Sequence, residues 1–218
     1  MSKRMGPRGE HLRRAVAQEA ARIMAEHGID DYGLAKRKAA ERLGTTDIAV
    51  LPKNAEIEAA LAEHHRLFDS GTHSSILSDL RRTALQAMRL LKKFEPRLVG
   101  PVLSGTASSH SEVNLHLFAE SPESVTLHLM ENSVPHHVAE RRLRYEPDRL
   151  VPYPVIRFVA GNRPIDAVVF PLNGIRQSPS SPVDGKPMRR VDSDELETLI
   201  AEQHNEARLE RMLNNLAR

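Results

Sequence analysis

The spacing of apolar residues changes at Pro96, and that change divides the chain into two kinds of structure. Before it, apolar side chains recur at helical intervals. One set is Leu12, Val16, Ile23 and Met24, a second is Ile57, Leu61 and Phe68, and a third is Leu77, Leu80, Ala84, Met88 and Leu91. Each set falls on one face of a helix. The punctuation agrees. Gly28 and Gly44 are natural helix stops because glycine tolerates the left-handed turn, Pro52 breaks the chain, Asn54 is placed to cap a helix, and Asp69–Gly71 separates the last two helices. After Pro96 the period falls to two: Val113, Leu115 and Leu117 alternate with Glu112, Asn114 and His116. Strands are predicted over Val99–Leu103, from Glu112, and over Val138–Tyr145, Tyr153–Val159 and Ile165–Phe170, with a short helix over Glu123–Asn132. Ser178–Pro187 is rich in Ser and Pro and is predicted to be a loop. Asp192 and Glu195 have the spacing of a capping box and open a final helix, whose tail from His204 alternates in charge. The class implied is α+β: a helical N-terminal region over residues 1–95, then a mixed sheet spanning Pro96–Leu172 and a C-terminal helix, together residues 96–218.

Several chemistries are excluded by composition. The 218-residue chain has no Cys, which removes disulfides, thiolate metal sites and cysteine nucleophiles. No apolar run approaches the roughly 20 residues that span a bilayer, and the basic start is not followed by an apolar segment. The expectation is a cytoplasmic protein with no membrane partner. A formal charge of +2 means that any attraction to nucleic acid must come from local clusters. No G-x-S-x-G elbow and no G-x-x-x-x-G-K-[ST] loop occurs, so serine catalysis and P-loop chemistry are disfavoured.

The segment Val99–Phe118 carries the most chemistry. A predicted strand leads into Ser104, Gly105, Thr106 and Ala107, whose small side chains let backbone amides approach a phosphate. The hydroxyls of Ser104, Thr106 and Ser108 add donors. Glu112 and Asn114 are two residues apart on a strand, so both point to one face and could offer oxygen to one hard cation. Asp166 is an acid inside an otherwise apolar strand. Burial of a lone carboxylate is costly unless it is paired, and Arg141, Arg142 and Arg157 are the candidate structural partners.

This arrangement resembles the nucleotidyltransferase superfamily over roughly Leu85 to Phe170. Gly105-Thr106 resembles the family's small-residue turn, Glu112-Val113-Asn114-Leu115 resembles its strand bearing two acids, and Asp166 resembles its third acid. The resemblance implies a nucleotidyltransferase-like sheet with helices on one side and the site on the other. It implies Mg²⁺ and an NTP, with transfer of a nucleoside monophosphate to a hydroxyl of RNA, protein or a small molecule. Glu112, Asn114 and Asp166 would be metal residues, Glu112 and Asp166 catalytic ones, and Ser104, Gly105, Thr106 and Lys186 would bind the nucleotide. The sequence departs from the family at two places. Glu112 stands where the family has Asp, and Asn114 stands where the second Asp would supply charge to the metal. A catalytically inactive protein of this fold, binding nucleotide, RNA or a protein partner, is therefore an alternative. A helical interaction protein that dimerises through its apolar helix stripes is another.

Three other groups carry charge or metal-ligand side chains. Lys186, Arg189 and Arg190 could neutralise a triphosphate or an RNA backbone, or could decorate a solvated Asp184-Gly185 turn. Lys36, Arg37, Lys38 and Arg42 lie on a short predicted helix over Leu34–Leu43, but Asp30, Asp31 and Glu41 dilute their field. Of the 11 histidines, the pairs His64-His65 and His136-His137 are adjacent and lack zinc-site spacing, while His116 shares the face of Glu112 and Asn114.

Overall fold

A computed structural model describes residues 6–29, 31–45, 47–68, 70–146 and 149–216. Asp30, Asp69 and the side chain of Phe68, all invoked above, lie outside the described residues. Helix α1 (Pro7–His27) starts with proline at a position where no backbone N–H is needed, and it ends at Gly28 with φ 62°. Asp31 caps α2 (Tyr32–Arg42) by accepting from the Leu34 amide at 2.9 Å. Helix α3 (Asn54–Phe68) follows. Val16, Ala17, Ala20, Ala21, Ile23 and Met24 of α1 pack with Ala35 and Ala39 of α2 and Ile57 and Leu61 of α3. The alanines allow the helix axes to come close. Asn54 does not cap α3 with its side chain as predicted. Its amide donates instead to the Pro182 carbonyl at 2.6 Å, and Glu56 accepts from the Lys53 amide at the helix start.

Helix α4 (Ser70–Leu90) directs Leu77, Leu80, Ala84 and Met88 at the sheet. The chain then forms β1 (Arg97–Val99), α5 (Pro101–Ser104), β2 (Val113–Phe118), α6 (Pro122–Glu131), β3 (His136–Glu146), β4 (Arg149–Ala160), β5 (Arg163–Phe170) and α7 (Ser193–Leu216). The predicted strand over Val99–Leu103 is mostly wrong. Gly100, at φ 74°, turns the backbone, and Pro101 opens a short helix. Strand β4 begins earlier than expected, despite Pro152 and Pro154. Both lie before Val155, where pairing with β5 starts, so neither needs an amide on that edge.

The sheet order is β1-β2-β5-β4-β3, with β2 and β5 parallel and all other neighbours antiparallel. Its two faces differ. Val113, Leu115, Leu117, Ile165, Ala167 and Val169 join α4, Leu129 of α6 and Leu196 of α7 in the main core. The opposite face carries Asn114, His116 and Asp166, with a small apolar cluster of Phe118, Val155, Val168 and Phe170. The capping box of α7 forms as predicted: the Glu195 amide donates to Asp192 Oδ1 at 2.9 Å, and the Asp192 amide to Glu195 Oε2 at 3.2 Å. The charged tail continues as helix to Leu216. Among the described residues no helix is long and apolar enough to cross a membrane.

Candidate functional site

Parallel pairing of β2 with β5 sets Asn114 directly beside Asp166. Glu112 lies just before β2, on the same side of the chain. The three predicted metal residues therefore come together, and what they surround is a guanidinium. Arg141 Nη1 donates to Asn114 Oδ1 at 2.9 Å, and Nη2 donates to Asp166 Oδ2 at 2.5 Å. Arg141 Nη2 is also 4.0 Å from Glu112 Oε2. Arg157, the antiparallel partner of Asp166 on β4, places Nε 3.1 Å from Asp166 Oδ1.

The Asp166 side chain is only 2% exposed, whereas those of Arg141 and Arg157 are 33% and 41% exposed. A buried carboxylate is thus held by two guanidiniums that still reach water. The Glu112 carboxyl is pushed above the usual carboxylate range. Burial is the main cause, followed by the charge of Asp166 and a hydrogen bond to it, while Arg141 and Arg157 pull the other way.

Gly100 is the glycine that serves this site. A Cβ built there would lie 3.6 Å from Asn114 Nδ2, in a conformation with φ 74°. Gly105 serves another purpose. It closes α5 with φ 87°, and a Cβ there would face Arg81 and Leu77 on α4. Thr106 is buried, with its hydroxyl 2.9 Å from that of Ser104. Of the predicted phosphate turn, Ser104 borders the cleft described below and Gly105 and Thr106 do not. Lys186 is also outside that lining. It sits on an exposed turn with Nζ 4.0 Å from Asp184 Oδ2.

The cleft is a cavity of about 680 Å³. Its floor includes Gly100, Glu112, Asn114 and Arg141. Tyr32 and Glu58 from the helical unit form one wall, and the segments 180–184 and 187–189 form the other. The Asn54–Pro182 hydrogen bond ties these walls together. Burial raises the Glu58 carboxyl; the Ser104 hydroxyl opposes this and the Asp184 charge adds to it. Arg142 and Arg144 also border the cleft, but strand alternation turns their side chains away from the face of Arg141. Arg189 is the other bordering arginine.

His116 is buried beneath this floor. Its Nδ1 accepts from Arg190 Nε at 2.9 Å, which leaves the ring proton on Nε2. Burial, and then the Arg190 charge, lower its pKa well below the ordinary value of 6.5. The Arg190 guanidinium stacks 5.1 Å from the Phe118 ring centre and 5.0 Å from that of Phe170. It fastens the C-terminal segment to the sheet and is not an open phosphate ligand.

No protein-family model, curated protein or solved structure matches this chain.

A divalent metal of the kind the resemblance implies needs several oxygen ligands around one point. Here Asn114 Oδ1, Asp166 Oδ1 and Asp166 Oδ2 each face a guanidinium nitrogen. Among the described residues no group of three or more His, Cys, Asp or Glu is arranged to hold a metal ion. The donor set in this arrangement does not fit Mg²⁺. Sequence reasoning named Arg141 and Arg157 only as two of three alternative partners for Asp166. The available signal was that Arg141 alternates in phase with Leu143 and Tyr145 on β3, which puts it on the half-buried face.

Proposed function

We propose that this chain is a nucleotidyltransferase-like protein that binds a nucleotide through its phosphates without transferring it. The observation that carries this reading is the juxtaposition of Asn114 and the buried Asp166 on adjacent parallel strands, with Gly100, Asn114 and Arg141 lining a 680 Å³ cavity. That volume lies in the range of small-molecule sites, about 300–1,000 Å³. Arg141 and Arg189 offer charged donors to phosphate, and Tyr32 offers a ring that a base can stack on. The alternative, Mg²⁺-dependent transfer to a hydroxyl acceptor, needs oxygens that are engaged with arginine here.

Calorimetric titration of the full chain with ATP, GTP, CTP and UTP at low salt tests the proposal, alongside a transfer assay with α-labelled nucleotides and a mixed RNA and protein acceptor pool. Saturable binding of at least one nucleotide, with no label transferred, is expected. Failure to bind any of them removes the reading. Label transfer that is lost in Asp166→Ala would establish the transferase in its place.

A further inference from the structure

We infer that Arg141 is a resident cation that takes the place of the metal, so that this cleft binds phosphate without a divalent ion. The inference rests on the nucleotide-binding reading above and specifies how that binding works.

The argument begins with the shape of the contacts. A guanidinium is planar, permanently charged and presents its N–H groups as a fork. Arg141 uses one arm of the fork on Asn114 and the other on Asp166, two neighbours in the sheet register. The side chain is fixed at both ends of the fork while remaining a third exposed toward the cavity. It carries more N–H donors than these two contacts use, and the rest are available to a phosphate oxygen.

Asn114 then acquires a chemical reason. An amide oxygen accepts from Nη1 as a carboxylate oxygen would, but it adds no negative charge. Asp166 and Glu112 contribute two negative charges against the positive charges of Arg141 and Arg157, so the four groups balance. The Glu112 carboxylate, 41% exposed and 4.0 Å from Arg141, is the more loosely held of the two acids. A further carboxylate at position 114 would leave the cluster with a net negative charge, which repels an anion. Asn in place of acid and Arg in place of metal are thus two halves of one exchange. Asp166 becomes a positioning residue for Arg141, and Arg157 holds Asp166 from the other side.

The experiment measures pyrophosphate binding by calorimetry in the presence of EDTA, and Mn²⁺ binding by electron paramagnetic resonance with no nucleotide present. Wild type is expected to bind pyrophosphate equally with and without chelator and to show no saturable Mn²⁺ signal at the site. Asn114→Asp keeps Arg141 in place and is expected to weaken pyrophosphate binding. Arg141→Ala is expected to weaken it by roughly 10-fold to 100-fold, the scale of a hydrogen bond to a charged group. Arg141→Lys, a point charge without the fork, should fall between. The double variant Asn114→Asp/Arg141→Ala should gain saturable Mn²⁺ binding. Circular dichroism spectra matching wild type identify variants that have folded, and Asn114→Asp keeps the test decisive if removal of Arg141 prevents folding. The inference is overturned if EDTA abolishes wild-type binding, if wild type binds Mn²⁺ and Asp166→Asn removes it, or if Asn114→Asp binds pyrophosphate as well as wild type. Nucleotide binding that needs Mg²⁺ would overturn it while leaving the nucleotide-binding reading intact. No binding of pyrophosphate or nucleotide under any condition would remove both.

Discussion

The two faces of β2 are buried almost equally and are held by opposite means. On one side Val113, Leu115 and Leu117 are fully buried among aliphatic side chains from α4, α6 and β5. On the other His116 of β2 and Asp166, which lies beside Asn114 on β5, are 2% and 1% exposed, and each is met by arginine. The first face gains from area removed from water and does not depend on direction. The second depends on particular partners, so the outcome of a substitution turns on which partner is left behind.

The largest effect should come from leaving the acid alone. Arg141→Ala combined with Arg157→Ala strands the Asp166 carboxylate in a buried position, and urea unfolding should record a loss of about 3–5 kcal/mol. Leu115→Ala, on the aliphatic face, should cost about 3 kcal/mol through lost burial and a residual cavity. A loss larger than that of the double arginine variant would reverse the ranking proposed here. Asp166→Ala should cost less, about 2 kcal/mol, because the two arginines it abandons are a third or more exposed and water can take its place.

A pH series sharpens the contrast further. The folded pKa of His116 is depressed below 6.5, so the folded chain binds fewer protons there than the unfolded chain. The stability tied to His116 is present above pH 6.5 and is lost as pH falls from there through the folded pKa. Glu58 and Glu112 act oppositely. Their raised pKa values mean that their contribution is present below the ordinary value of 4.5 and is lost as pH rises through the folded values. Thermal melts of wild type and His116→Asn from pH 7 downward separate the two effects: the gap between the curves should change below pH 6.5 and stay flat above it. The smallest effect belongs to the surface of the helical unit. Arg13–Glu56 pairs at 2.6 Å with the carboxylate side chain 43% exposed, and its loss in Glu56→Gln should cost about 0.5 kcal/mol by urea unfolding, vanishing at high salt.

Much of the fold was legible because local chemistry decided it. The alternation from Glu112 to Leu117 assigned both faces of β2, and Asp192 with Glu195 announced α7. Where proline or glycine played an unexpected part, the sequence misled. Pro101 opened a helix inside a predicted strand, and Pro152 and Pro154 sat in β4 because only one of its edges is paired there. Glu112, Asn114 and Asp166 could be named because each is a polar residue on a strand, and strand period is local. That Asn114 lies beside Asp166, and that Arg141 and Arg157 rather than Arg142 meet it, depends on the register between distant strands. No single segment contains that information. For the same reason the sequence pointed to Gly105 for the close turn, whereas the glycine that Asn114 packs beside is Gly100.

The parallel pairing of β2 and β5 also dictates an order of assembly. Antiparallel neighbours can close locally through a turn, but a parallel pair must wait for its crossover, and here the crossover contains α6 and the β3–β4 pair. Arg141 therefore arrives on its own strand before Asp166 reaches its place beside Asn114. During synthesis the cation emerges before its buried counter-ion, and the floor of the cleft is completed only when β5, paired locally with β4, docks beside β2.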